Sequence, residues 1–264
     1  MTSHSVPKSV GDLAGVRVII TGGTRGIGAA TVKRFLAGGA QVVTAARNDG
    51  PVPDGAELVV ADMATPSGAA TVFDRAMETL GGVDVLINNA GNNHVTPGDV
   101  LTAEDEVWDG NLEINLMAAV RLDRLVAPVM RANGRGCIVH VSTGGARWPV
   151  QEDGIPYAAA KAALSTYSKG LSNSLAASGV RVLTVLLGFF ETESSVVGMQ
   201  EMADRSGIPL EQLRANLYEQ FTGPMKRPGR GEEAAELFAF LASSRASYLN
   251  GAQIPLDGGL LPTM

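Results

Sequence analysis

The stretch Val16-Arg17-Val18-Ile19-Ile20-Thr21-Gly22-Gly23-Thr24-Arg25-Gly26-Ile27-Gly28 decides how the rest of the chain is read. A short β-branched apolar run passes through a glycine-rich turn directly into a helix-like segment, Ile27 to Ala37. Gly22 can take the φ that closes so tight a turn. Gly26 lets the backbone come close to a diphosphate, and Gly28 lets the helix pack tightly on the strand. The N–H groups at the helix start carry partial positive charge, which suits an anion. This is not an ATP-binding loop: Gly23 and Gly28 have the right interval, but Ala29-Ala30 stand where a lysine and a hydroxyl belong.

Working outward, apolar runs alternate with helical patterns to the end of the chain. The later runs are Gln41 to Thr44, Glu57 to Ala61, Val83 to Ile87, Cys137 to Val141, Val180 to Leu187 and Gln253 to Leu256. The later helical stretches are Ser67 to Leu80, Leu112 to Asn133, Pro156 to Ala177 and Glu232 to Ala242. Strands apolar almost throughout are covered on both faces, and alternation with helices means right-handed crossovers. The expectation is an α/β chain. It is one doubly wound, Rossmann-type domain over residues 1–264, a parallel sheet of about seven strands with helices on both faces. Glu191 to Arg230 is longer than an ordinary connection and reads as a substrate lid over about residues 191–230.

Composition narrows the function. The 264 residues carry 27 acidic and 21 basic side chains, a net charge of −6, so nucleic acid is not expected as a partner. The single cysteine, Cys137, excludes an intrachain disulfide and a thiolate zinc site; His4, His94 and His140 lack metal-ligand spacing, and no metal is expected. Met1 to Gly11 is polar, and Val180 to Phe190 is interrupted by Arg181 and Thr184, well short of the ~20 apolar residues of a membrane span. A cytoplasmic protein with no membrane partner is expected.

The second strand ends in Thr44-Ala45-Ala46-Arg47. An acidic side chain there would hold a ribose 2′-hydroxyl; a guanidinium stands there instead, and Arg25 can approach the same place. Bidentate donors suit a phosphate, so NADP(H) is expected in preference to NAD(H). Further on, Pro156-Tyr157-Ala158-Ala159-Ala160-Lys161 opens a long helix. Residues four apart share a helix face, so the phenol and the ammonium project into one cleft. The ammonium, helped by a cationic nicotinamide, is expected to lower the phenol below its free pKa of ~10, giving a proton donor and acceptor for carbonyl/alcohol chemistry.

With Asn88-Asn89-Ala90-Gly91 after the fourth strand, the glycine turn and Tyr157-xxx-Lys161 resemble the short-chain dehydrogenase/reductase family from Val16 to Gly259. Asn115, Val141-Ser142-Thr143 and Asp257-Gly258-Gly259 follow in family order. The resemblance implies that Tyr157 is the general acid/base, that Lys161 holds the ribose hydroxyls and tunes the phenol, and that Asn115 positions a water. It implies a cofactor site built from Gly22, Thr24, Arg25, Gly26, Ile27, Gly28 and Arg47 with Asn89, Ala90 and Gly91. Asp62 and Met63 would flank the adenine, and Gly188, Phe190 and Thr192 would follow the sixth strand, with Thr192 reaching the carboxamide. Two departures stand out. The substrate-orienting hydroxyl is offered by Ser142 or Thr143, of which Ser142 is preferred as the family's residue type. Leu187-Gly188 replaces a Pro-Gly beside the nicotinamide.

The implied function is an NADP(H)-dependent oxidoreductase, of ketoreductase or alcohol dehydrogenase type, acting on a small carbonyl or alcohol. A catalytically silent NADP(H)-binding sensor or scaffold is the alternative. His94 and Trp148 are substrate-contact candidates, whereas His140, inside a strand, reads as a packed histidine. One of Phe189 and Phe190 is expected in the core and the other at the pocket. Met199, Met202, Leu210, Leu217 and Phe221 suggest an apolar pocket lining from the lid. Small residues on the two long helices suit a homo-oligomer, and the resemblance implies a dimer or tetramer.

Overall fold

The computed structural model describes residues 11–92, 100–149 and 154–262. The first half runs β1 (Arg17–Thr21), α1 (Gly26–Ala37), β2 (Gln41–Ala46), β3 (Ala56–Val60), α2 (Pro66–Leu80) and β4 (Val85–Asn88). There follow α3 (Asp105–Leu112), a π-helical turn (Glu113–Met117), α4 (Ala118–Ala132), β5 (Gly136–Thr143), α5 (Ile155–Leu175) and β6 (Val180–Leu187). The chain then passes through α6 (Glu193–Ser206), α7 (Leu210–Phe221) and α8 (Gly231–Ala242) into β7 (Gln253–Leu256). Seven strands form one sheet in the order β3-β2-β1-β4-β5-β6-β7. Every pairing is parallel, as the alternation requires.

Side chains along β1 alternate between two cores. Val18 and Ile20 pack with Phe35 of α1 and Phe238 of α8, while Ile19 packs with Val72 of α2, Leu122 of α4 and Leu175 of α5. Because both faces are covered, the strand has no polar side, and each fully buried large side chain contributes about 1.5–3 kcal/mol. Local signals agree with the packing. The Thr65 hydroxyl accepts the Gly68 N–H at 3.0 Å to start α2, and left-handed Gly81 ends it.

One helical expectation is corrected. The stretch from Leu112 to Asn133 is a composite that begins at Asp105 and passes through the π-helical turn before α4. Its first turn carries Asp105 and Glu106 and has no side-chain cap, so neither periodicity nor capping announces it. The sheet's order reverses at β1, which pairs with β2 on one side and β4 on the other. Connections leave in opposite directions there and open a crevice at the carboxyl ends of the strands. Among the described residues, no helix is long and apolar enough to cross a membrane.

Candidate active site

The glycine turn after β1 forms one wall of a cleft of about 650 Å³. Gly22 has φ +76°, and a Cβ on Gly28 would overlap the Gly22 carbonyl oxygen, so the turn closes onto α1 only with glycine at both places. Arg25 precedes α1 in an extended conformation, gives no side-chain cap, and no acidic residue lies in the first turn. The first N–H groups of α1 therefore have no competing side-chain oxygen. Thr24, Arg25, Gly26, Ile27, Arg47, Met63, Asn89, Ala90, Gly91 and Thr192 all line this cleft. Across it, Thr192 comes within 3.3 Å of where a Cβ on Gly26 would stand.

Arg25 and Arg47 are exposed at the cleft, and Asp49 accepts the Gly50 N–H at 2.9 Å. Asp62 is exposed and accepts the Ala64 N–H at 3.0 Å; its neighbours Ala61 and Met63 line the cleft. Its place after β3 put it near the cleft, but the turn into α2 uses its carboxylate locally. Asn48, Pro51, Asn92, Ile114 and Glu193 also line the cleft. They lie in loops or in the irregular turn, where residue type gives no warning. A backbone close approach, an uncapped helix start and two guanidinium groups fit a dinucleotide carrying an additional phosphate.

Tyr157 and Lys161 share a face of α5, with Nζ 5.9 Å from the phenol ring centre. Lys161 is buried and donates to the Val141 carbonyl at 2.8 Å. Burial brings its ammonium down to about 8. Burial also pushes the Tyr157 phenol up to about 12, whereas the expected lowering belongs to a phenol beside both the ammonium and a cationic nicotinamide. Desolvation disfavours the phenolate, and the Lys161 ammonium is aimed at the Val141 carbonyl. Asn115 lies in the π-helical turn, where Nδ2 donates to the Asn92 carbonyl at 2.7 Å and Oδ1 accepts the Asn92 N–H at 3.2 Å. Both halves of its amide thus hold the loop after β4. A Cβ on Gly91 would stand 2.9 Å from Asn115 Oδ1 and 3.1 Å from Lys161 Nζ, so that position has room only for glycine.

The two candidate hydroxyls are placed differently, although both border the space beside Tyr157 and Lys161. Ser142 is 2% exposed and donates to the Lys161 carbonyl at 3.0 Å, with Ser165 Oγ at 3.1 Å. Odd and even residues of β5 point to opposite sides, and Ser142 points under α5. Thr143 is half-buried and lines an apolar cavity of about 290 Å³. Trp148, Pro149, Leu187, Gly188, Phe189 and Phe221 are among the other residues around that cavity. A space of about 300 Å³ lies between cavity and cleft, sharing Thr143, Leu187 and Gly188 with the one and Ile27, Asn89 and Thr192 with the other. Lys161 and Phe190 line that middle space, and Tyr157 lines all three.

Phe190 belongs to the core and Phe189 to the cavity wall, where it packs on Tyr218 and Phe221 of α7 with ring centres 5.8 and 6.4 Å apart. Of the lid residues expected to line the pocket, only Phe221 does so among the described residues; Met199 is in the core and Met202 is exposed. Leu260 and Leu261 take their place, and their apolar pairing after the Gly258-Gly259 turn was the available signal. His94 lies outside the described residues.

His140 is fully buried, with Nε2 2.9 Å from Asp123 Oδ2 and Nδ1 2.9 Å from Ser168 Oγ. Asn88 Nδ2 donates to Asp123 Oδ1 at 2.8 Å. Burial and then Asp123 push the Tyr167 phenol up. This is the packed histidine the strand position implies. Among the described residues, no cluster of three or more His, Cys, Asp or Glu is placed to hold a metal.

These features converge on one class. A family model described as enoyl-(acyl carrier protein) reductase matches residues 22–261. The chain is 34% identical to dehydrogenase/reductase SDR family member 4 of Bos taurus, covering 92% of this chain and 86% of that one. It is 30% identical to the 3-oxoacyl-[acyl-carrier-protein] reductase FabG of Escherichia coli, covering 92% and 96%. The crystal structure of L-sorbose reductase from Gluconobacter frateurii, complexed with NADPH and L-sorbose, superposes with a TM-score of 0.87 at 32% identity over 96% of this chain and 100% of that one. The chain belongs to the short-chain dehydrogenase/reductase family. It is an oxidoreductase of that family, whose members are NAD(P)-dependent dehydrogenases and reductases acting on CH–OH groups.

Proposed function

We propose that the protein is an NADP(H)-dependent carbonyl reductase in which Tyr157 supplies the proton. The observation that carries this is the position of Tyr157, the one described residue bordering the cleft, the apolar cavity and the space between them. The relative solved with NADPH supports the choice of cofactor, and so do Arg25 and Arg47, placed to pair with a 2′-phosphate. NADPH, when bound, supplies the hydride.

The chain's own residues do the rest. The turn at Gly22 and Gly28 and the start of α1 receive the diphosphate. Thr143 donates to the substrate oxygen and orients it. Tyr157 Oη, held protonated at neutral pH by burial, donates its proton to that oxygen as negative charge develops. Lys161 places positive charge beside the phenol and stabilises the phenolate left behind. Asn115 keeps the Asn92 and Gly91 backbone against Lys161, a positioning role. Helices α6 and α7, within the Glu191 to Arg230 segment, act as the lid, with α7 bringing Phe221 to the cavity. A purely nucleotide-binding sensor would have no use for a cavity that meets the phenol.

Tyr157→Phe tests this. We expect turnover of a ketone with NADPH to fall by ~10²–10⁴-fold, with NADPH affinity within about threefold of wild type. Retention of full turnover would remove Tyr157 from the mechanism. Equal kcat/KM with NADH and NADPH in the wild type would remove the cofactor preference.

A further inference from the structure

The cavity beside Tyr157 has a composition that selects among carbonyl compounds. Its polar groups are gathered at one end, where Thr143 and Tyr157 border the space shared with the cofactor cleft. Away from that end the walls are Trp148, Leu187, Phe189, Phe221, Leu260 and Leu261. The other polar groups among the described lining side chains are the amide of Gln220, which is exposed, and the indole N–H of Trp148. No described lining residue is charged. Phe189 and Phe221 stack with their planes 23° apart, which gives the α7 side a flat aromatic wall. Trp148 is 46% exposed, an indole left in water that an apolar ligand would cover. A volume of about 290 Å³ lies at the low end for small-molecule sites.

From this we infer that the substrate is a neutral, mainly hydrocarbon ketone, or its secondary alcohol, with a ring or flat apolar body of about that size. The inference rests on the reductase function proposed above and adds the substrate class. Its oxygen meets Thr143 and Tyr157, and the body lies between Trp148 and the Phe189–Phe221 wall. A polyhydroxylated ketone would bury hydroxyl groups against carbon, each losing water without a protein partner. A keto acid would place a carboxylate where none of the described walls offers a cation.

Three matched probes test this: benzylacetone, its carboxylate analogue benzylpyruvate, and fructose. Binding is measured calorimetrically on the wild-type protein saturated with NADP⁺, where no reduction can proceed, and turnover is measured separately with NADPH. We expect benzylacetone to bind at least ~100-fold more tightly than either competitor, as two or more unpaired hydroxyl groups of fructose at about tenfold each, or the one unpaired carboxylate of benzylpyruvate, would produce. Trp148→Ala should weaken benzylacetone binding by about tenfold and leave NADPH binding unchanged. Tight benzylacetone binding without turnover would uphold the pocket's selectivity and remove the reductase function. Equal or tighter binding of fructose or benzylpyruvate, or no binding of benzylacetone, would overturn the substrate class even where turnover with another ketone upholds the reductase.

Discussion

Two buried polar clusters share β5 and α5, and only one opens to a ligand. Near the carboxyl end of β5, Thr143, Lys161 and Tyr157 border the cavities. Deeper in the same layer, Ser168, His140 and Asp123 stand in sequence at 2.9 Å and 2.9 Å, a hydroxyl, an imidazole and a carboxylate in the relation that elsewhere makes a nucleophile. Their exposures are 2%, 0% and 1%. No substrate reaches them. The three groups, with Asn88, satisfy one another across β4, α4, β5 and α5, whereas the open cluster leaves a phenol at a cavity wall and keeps an ammonium buried. Residue chemistry is comparable in the two places; access separates them.

Five substitutions break or sharpen that contrast. The largest expected effect is the loss of turnover in Tyr157→Phe described above. Next, Asp123→Ala leaves His140 and Asn88 without their carboxylate partner, and should cost about 3–5 kcal/mol of stability. In a chain of this size that lowers Tm by about 10 °C or more, read by thermal unfolding. A fall in kcat with Tm unchanged would instead bring the closed cluster into the reaction.

The two neighbouring hydroxyls should separate by about tenfold to a hundredfold. Thr143→Val should lower kcat/KM by that factor with little change in Tm. Ser142→Ala should change kcat/KM by less than about threefold and cost about 1 kcal/mol of stability, the worth of a buried hydrogen bond. The reverse pattern would return the substrate-facing role to Ser142.

The last effect concerns the buried ammonium and is read only as a change with pH. The folded-state pKa of Lys161 is about 8, below its ordinary 10.5, so the unfolded chain holds the proton more firmly between those values. The charge is a full cost to folding below pH 8, and that cost disappears as pH rises to 10.5. Measured against Lys161→Met, the wild type should therefore gain on the order of 2–3 kcal/mol between pH 8 and pH 10.5. A flat difference across that range would mean that the ammonium is not desolvated.

Much of this was legible in the chain because the signals are local. Val18, Ile19 and Ile20 are apolar without alternation because helices cover both faces of β1, and Gly28 is forced by the Gly22 carbonyl beside it. His140 could be assigned to packing from its place within a strand. Where residue order left the choice open, packing decided it. Ser142 and Thr143 differ by one position, and only the covering of one side by α5 shows which hydroxyl is engaged. Asp62 follows β3 as a cofactor-side residue would, yet spends its carboxylate on its own turn. Met199 and Leu261 look equally suited to a pocket, and the packing of the lid sends the first into the core and leaves the second at the cavity.

The sequence alone determined the parallel doubly wound sheet, the glycine turn and the pairing of Tyr157 with Lys161, since each depends on residues a few positions apart and on the periods of strand and helix. Tertiary structure alone decided which hydroxyl faces the cavity, what lines it, and the direction in which the phenol is shifted. Those properties depend on burial and on neighbours brought from far along the chain, and desolvation has no expression in residue order.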